Sequence, residues 1–229
     1  MIEIENLTKR YLTAAALRGV SMAVEAGRLV GVLGENGSGK STLFKILAGV
    51  TRPTTGTVQI DGHSIGVETR AQTAYLPEID PFYTWMRVAE QLDFLAPFYA
   101  GWDGAKSRVL LESLKLDADR KIGELSHGQR ARLKVAAAFS WPSQVVLMDE
   151  PLGGIDPPSR RRILKALMSE FRYGQQTILI STHLVSEVEE YVDDVFYLRQ
   201  GEVALSGQAD ALRSDRGQSL SEIFEEVAS

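Results

Sequence analysis

The run GENGSGKST, Gly34 to Thr42, sets glycine, lysine and hydroxyl residues in an order that suits a polyphosphate. Gly34, Gly37 and Gly39 let the consecutive backbone N–H groups of a loop that includes Glu35, Asn36 and Ser38 curl around a β-phosphate. Lys40 supplies a point charge for the β and γ oxygens, and Ser41, beside Thr42, offers a hydroxyl to Mg2+. The following STLFKILAG reads as a helix whose N-terminus adds partial positive charge. A glycine turn that merely caps a helix is the bland alternative; lysine and serine at the spacing a nucleotide needs point instead to a nucleoside triphosphate.

Two more chemical clusters follow apolar runs. VVLMDE, 145–150, ends in Asp149 and Glu150. A hard Mg2+ ion on a triphosphate keeps waters and takes one or two carboxylates, a role that falls to Asp149. Glu150 could accept a proton from a water attacking the γ-phosphate. TILISTH, 177–183, ends in His183, which could contact the γ-phosphate or orient that water. The third cluster, LSHGQRARL at 125–133, offers Ser126 as a helix N-cap and Gly128 for close backbone approach, ahead of an apolar face at Leu133, Ala136 and Ala137. It could hold an anion, yet has no carboxylate or metal ligand beside it. His63, in DGHSIG, reads as a turn residue.

The elements that must position these residues are short strands. RLVGVLG (28–34), VVLMDE and TILISTH each read as a strand buried on both faces, as in a parallel sheet, and ligands bind at the carboxyl ends of such strands. Strand-like runs flank a stretch, roughly 79–141, that reads as helical and aromatic, which predicts an α/β core interrupted by a helical lobe. The chain has 229 residues, 44% of them hydrophobic, enough for a packed core. A net charge of -5 gives no basic field for nucleic acid, so no nucleic-acid partner is expected. With no cysteine, neither disulfides nor a thiolate metal site are possible. No signal peptide and no apolar run of membrane-spanning length is read in the sequence.

These motifs, in this order, make the chain resemble the nucleotide-binding subunit of an ATP-binding cassette (ABC) transporter over nearly its whole length. The resemblance implies an α/β fold: a P-loop NTPase core with a mainly parallel sheet, an N-terminal antiparallel β part and an inserted helical subdomain. It implies one ABC ATPase domain over 1–229, with a RecA-like core at about 1–78 and 142–229 and the helical subdomain at about 79–141. LSHGQ resembles the family signature, so Ser126, His127, Gly128 and Gln129 would bind the γ-phosphate held by the opposite subunit. By the same resemblance Tyr11 stacks on adenine, the alternative being a strand-end aromatic. Asp149 and Glu150 become the Walker B pair, Gly153, Gly154, Ile155 and Asp156 the D-loop, and His183 the switch histidine. ATP and Mg2+ are the implied cofactors.

Two positions depart from the family pattern. His127 stands where the signature has glycine, while Ser126 and Gly128 remain. In AYLPEID, Glu78 stands where most members have a glutamine that touches Mg2+ and links nucleotide to permease. A carboxylate is still an oxygen ligand for a hard cation, and members with this Glu resemble subunits of exporters of drugs, peptides or lipids. The aromatic segment 81–103 divides between core, with Leu92, Leu95 and Phe98 at helical spacing, and a pocket for a permease helix. The basic run SRRRILK, 159–165, reads as a solvated helix face. After GEVALSGQADALR no room is expected for a regulatory domain. The expected protein is an ATP-hydrolysing subunit that pairs head to tail with an identical or homologous second ATPase subunit around two ATP. It would drive a separate integral membrane permease from the cytoplasmic face of the cell membrane. A soluble ABC ATPase acting as an energy-driven interaction module is the alternative.

Overall fold

The computed structural model describes residues 1–228. The chain runs through β1 (Ile2–Arg10), β2 (Ala15–Val24), β3 (Leu29–Leu33), α1 (Lys40–Leu47), β4 (Thr55–Ile60), β5 (His63–Ser64), α2 (Val67–Ala71) and β6 (Thr73–Leu76). It continues through α3 (Val88–Leu95), α4 (Gly104–Ser113), α5 (His127–Phe139), β7 (Val145–Asp149), α6 (Pro157–Glu170) and β8 (Thr177–Thr182). Last come α7 (Val185–Val188), β9 (Asp194–Arg199), β10 (Glu202–Gln208), α8 (Ala209–Arg216) and α9 (Leu220–Ala228).

Two sheets form. The first, in order β2-β1-β4-β5, is antiparallel. The second has the order β10-β9-β3-β8-β7-β6, parallel throughout except for the edge strand β10. β3, β7 and β8 are buried along their whole length, which explains why they read as unbroken apolar runs rather than alternating ones. Alternate residues serve opposite faces. Val30, Val32, Val145, Leu147 and Leu179 pack against α1 and the antiparallel sheet. Leu29, Leu33, Val146, Met148, Ile178 and Ile180 pack against α5, α6 and the helices between β6 and β7.

The parallel register carries the chemistry. Asp149 lies beside Ser181, and Leu33 beside Thr182, so the residues after β3, β7 and β8 leave the sheet at one edge. The mixed α/β architecture, with its antiparallel and mainly parallel sheets, is the one expected. The sequence reading misplaces two residues. Phe98 does not continue the face of Leu92 and Leu95: α3 ends at Leu95, a 3-10 turn with Pro97 follows, and Phe98 is 69% exposed. His63 lies just past the turn rather than in it, in the two-residue β5, with Nδ1 2.9 Å from the Asp61 carbonyl.

Candidate functional site

The loop between β3 and α1 owes its shape to glycine. Gly37 and Gly39 have φ of 83° and 112°, where side chains are strained, and a Cβ on Gly39 would sit 2.6 Å from the Ala16 carbonyl oxygen. Any larger residue there would push the loop off β2. The Lys40 ammonium, at the first turn of α1, donates to the carbonyls of Gly34 (2.7 Å) and Glu35 (3.0 Å) and lies 3.1 Å from Glu150 Oε1. A buried cation is thus held by three oxygens of its own loop and strand end. A cavity of about 270 Å³ opens here, lined by Ala16, Asn36, Gly37, Gly39, Lys40, Ser41, Thr42, Glu78 and Glu150.

Asp149 is 1% exposed and fully engaged. Its Oδ1 accepts from the hydroxyls of Ser181 (2.7 Å) and Ser41 (3.0 Å), and its Oδ2 lies 3.4 Å from the Tyr75 hydroxyl. Burial, and then the Asp149 charge, pushes the Tyr75 hydroxyl pKa well above its ordinary value, so Tyr75 stays a donor. Glu150 takes a left-handed conformation, φ 48°, uncommon for a residue with a side chain. Two Ser181 acceptors hold its N–H, the carbonyl at 3.1 Å and the hydroxyl at 3.0 Å. The turn aims its carboxylate back over the sheet end, between Lys40 and His183, whose Nδ1 is 3.0 Å from Oε2. An acid so placed can take a proton from a water in the cavity it lines, and His183, partly open to solvent, can orient that acid.

The donor set fits a hard cation. Ser41 and Asp149 converge within hydrogen-bond distance, and Glu78 borders the same cavity. Among the described residues no group of three or more His, Cys, Asp or Glu is placed to hold a metal ion by itself.

Ser126 caps α5 as expected: its hydroxyl accepts from the Gln129 N–H (3.3 Å), and the Gln129 side chain accepts from the Ser126 N–H (2.9 Å). Ser126 and His127 are exposed, whereas Gly128 is buried against Ile155 and the start of α6. A Cβ on Gly128 would meet Ile155 and Ser159 at 3.3 Å. Asp156 caps α6, and its bonds from Ser159 hold its carboxyl below the usual carboxylate range. None of Ser126, His127, Gly128 and Gln129 lines the cavity around Lys40. Tyr11 lies outside that lining too, 47% exposed at the end of β1, with Lys9 Nζ 5.0 Å from its ring centroid.

Three residues at the site escaped the sequence reading. Ser181 and Tyr75 sit inside apolar strand runs, and only the register of β6, β7 and β8 brings them to Asp149. Lys134 sits inside the apolar face of α5, yet its ammonium is directed at the loop that carries Glu78. A cation within an apolar helical stripe was the available signal.

Residues 17–153 match the protein family described as ABC transporter. The chain belongs to the ABC transporter ATPases. It is 34% identical, over 97% of its length and 76% of the relative's, to the Nod factor export ATP-binding protein I of Burkholderia lata. In structure it is similar to the ATP-binding subunit of an ABC transporter, with a TM-score of 0.88, 29% identity and full coverage of both chains. The dimeric structure of a bacterial ABC transporter cassette matches at a TM-score of 0.82 and 25% identity, over 91% of this chain and 99% of that one. The chain is therefore an ATP-binding cassette of the transporter type and an ATPase. Among the described residues no helix is long and apolar enough to cross a membrane.

Proposed function

We propose that this ABC ATPase pairs head to tail with a second ATPase subunit around two ATP and couples hydrolysis to a separate integral membrane permease, in the direction of export. One observation carries the pairing. The capped, exposed end of α5 can bind an anion but does not line its own chain's nucleotide cavity, so the phosphate it would grip belongs to another subunit. The dimeric cassette among its structural relatives supports this, and the Nod factor export protein supports the direction.

In this reading Gly34 to Thr42 wrap the phosphates, Tyr11 stacks on the base, and Ser126 to Gln129 close the site from the opposite chain. Ser41, Asp149 and Glu78 would hold Mg2+, which would supply charge neutralisation to the phosphate oxygens. Glu150 takes the proton of the attacking water, His183 orients Glu150, and the D-loop, Gly153 to Asp156, supports the signature. The chain divides into a core at about 1–78 and 142–229 and a helical subdomain at about 79–141, and works on the cytoplasmic face of the membrane. The permease would seat on an exposed aromatic patch of the helical part, where the rings of Trp85, Tyr83, Phe94 and Phe98 follow one another at centroid spacings of 5.5–5.7 Å. Purification of the tagged chain from its own membranes tests the coupling. An integral membrane protein should co-purify, and Trp85→Ser with Phe98→Ser should release it without unfolding the ATPase. A chain that brings down no membrane protein overturns the transport reading.

A further inference from the structure

Lys134 is a cation buried among apolar neighbours, between Leu133, Val135 and Ala138 of α5, and its side chain is 6% exposed. An ammonium has three hydrogens to donate, and three oxygens stand at the right distance: the carbonyls of Pro77 (2.9 Å) and Glu78 (3.2 Å) and Asp80 Oδ1 (3.3 Å). Burial of an unpaired cation would be very unfavourable, so this full set of partners is what allows Lys134 to be there. One turn earlier on the same face, Arg130 lies 3.6 Å from Asp80 Oδ2. Residues 77–80 are thereby fastened to α5 by two cations and one carboxylate. The two ends of this connection matter. Glu78 lines the nucleotide cavity, whereas Ser126 and His127 at the tip of α5 stand outside it, roughly 10–12 Å along the helix axis from Lys134 at 1.5 Å per residue.

We propose that Lys134 is a positioning residue that makes the Glu78 loop and α5 a single rigid piece, so that nucleotide beside Glu78 sets where the signature end is presented to the partner subunit. The role rests on the head-to-tail pairing proposed above. A helix without this cation would keep its cap and its packing but lose its registration to the cavity. The loop would still border the nucleotide, and the tip would still bind phosphate, with no fixed geometry between them.

The test separates binding by one chain from assembly of two. In a Glu150→Gln parent, which should hold ATP without turnover, a fluorescent ATP analogue gives the dissociation constant at low protein concentration. Analytical ultracentrifugation gives the ATP concentration for half-maximal dimer. Lys134→Met should leave the dissociation constant within about twofold and raise the dimer midpoint at least about tenfold, a coupling of the usual allosteric size. Lys134→Arg, which can still bond the two carbonyls and Asp80, should restore most of the dimer. Asp80→Asn, which folds more safely, should give an intermediate shift, and adding it to Lys134→Met should change little. A purely structural staple predicts lowered thermal stability with an unchanged dimer midpoint in Lys134→Met and Asp80→Asn, and that result overturns the proposal. A parent that stays monomeric at saturating ATP overturns the head-to-tail reading itself, and the role of Lys134 falls with it.

Discussion

Replacing Ser181 with alanine removes one oxygen atom and two interactions. The Ser181 hydroxyl donates to Asp149 Oδ1 at 2.7 Å and accepts the Glu150 N–H at 3.0 Å. Serine and alanine otherwise fill the same space, so little packing is lost in this fully buried strand position. The Glu150 N–H keeps the Ser181 carbonyl at 3.1 Å, which places most of the loss on Asp149. That carboxylate, 1% exposed, cannot turn to water, and keeps only Ser41 at 3.0 Å and a long contact with Tyr75 at 3.4 Å. A hydrogen bond to a charged group is worth about 1.5–3 kcal/mol. In a chain of this size each kcal/mol moves the melting temperature by roughly 2–4 °C, so Ser181→Ala should melt about 3–12 °C lower. Since Asp149 also anchors Ser41, turnover should fall at least about tenfold, as 1.36 kcal/mol in the transition state would give. Circular dichroism melting without nucleotide and phosphate release at saturating MgATP measure the two effects. A melting temperature within about 1 °C of the parent with turnover within about twofold would refute the reasoning, because Asp149 would then not be held from β8.

Other expectations follow from the remaining site residues. Glu150→Gln should lower ATP hydrolysis by about 10²- to 10⁴-fold and leave ATP binding intact, measured by phosphate release and nucleotide titration; activity within about threefold of the parent rejects the general base. Tyr11→Ala should weaken ATP by roughly 1–3 kcal/mol with little change in turnover at saturation, and an unchanged dissociation constant would leave Tyr11 a strand-end aromatic. Glu78→Gln should retain Mg2+-dependent hydrolysis, whereas Glu78→Ala should impair transport by the assembled permease; full transport by the alanine variant argues against a coupling role.

What could be read from the sequence was local. The loop before α1 is a run of neighbours, so the gathering of Gly37, Gly39, Lys40 and Ser41 around one cavity was legible from their adjacency alone. The Ser126 cap is a contact across three residues, Ser126 to Gln129, and was visible for the same reason. The three buried strands betrayed themselves by unbroken apolar runs that only a parallel sheet covered on both sides can hide. Contacts between distant strands were not legible. Ser181 reaches Asp149 across 32 residues and Tyr75 across 74, and both look like ordinary strand residues until the order β3-β8-β7-β6 is known. Lys134 binds Pro77 and Glu78 across more than fifty residues. Phe98 was misplaced because periodicity ran past Pro97, whose missing N–H ends the helical pattern. The left-handed turn at Glu150 has no sequence mark, since glutamate rarely adopts it, and it is the feature that turns the acid toward Lys40 and His183.

The central claim is that each nucleotide is gripped by the signature of the other chain, and mixing two damaged subunits measures it directly. Lys40→Ala loses its phosphate lysine and keeps its signature; Ser126→Arg keeps a sound phosphate loop and blocks the exposed end of α5. Each should be inactive alone. In a verified mixed dimer, assembled on the permease if the free subunits do not pair, the good loop of one chain meets the good signature of the other, and one intact site is rebuilt. ATPase activity should therefore reappear on mixing, at up to about half the parent rate per dimer if the sites act independently. Verified mixed dimers that remain as inactive as either variant alone would mean that Ser126 and Gly128 serve their own chain's nucleotide, and would contradict the account.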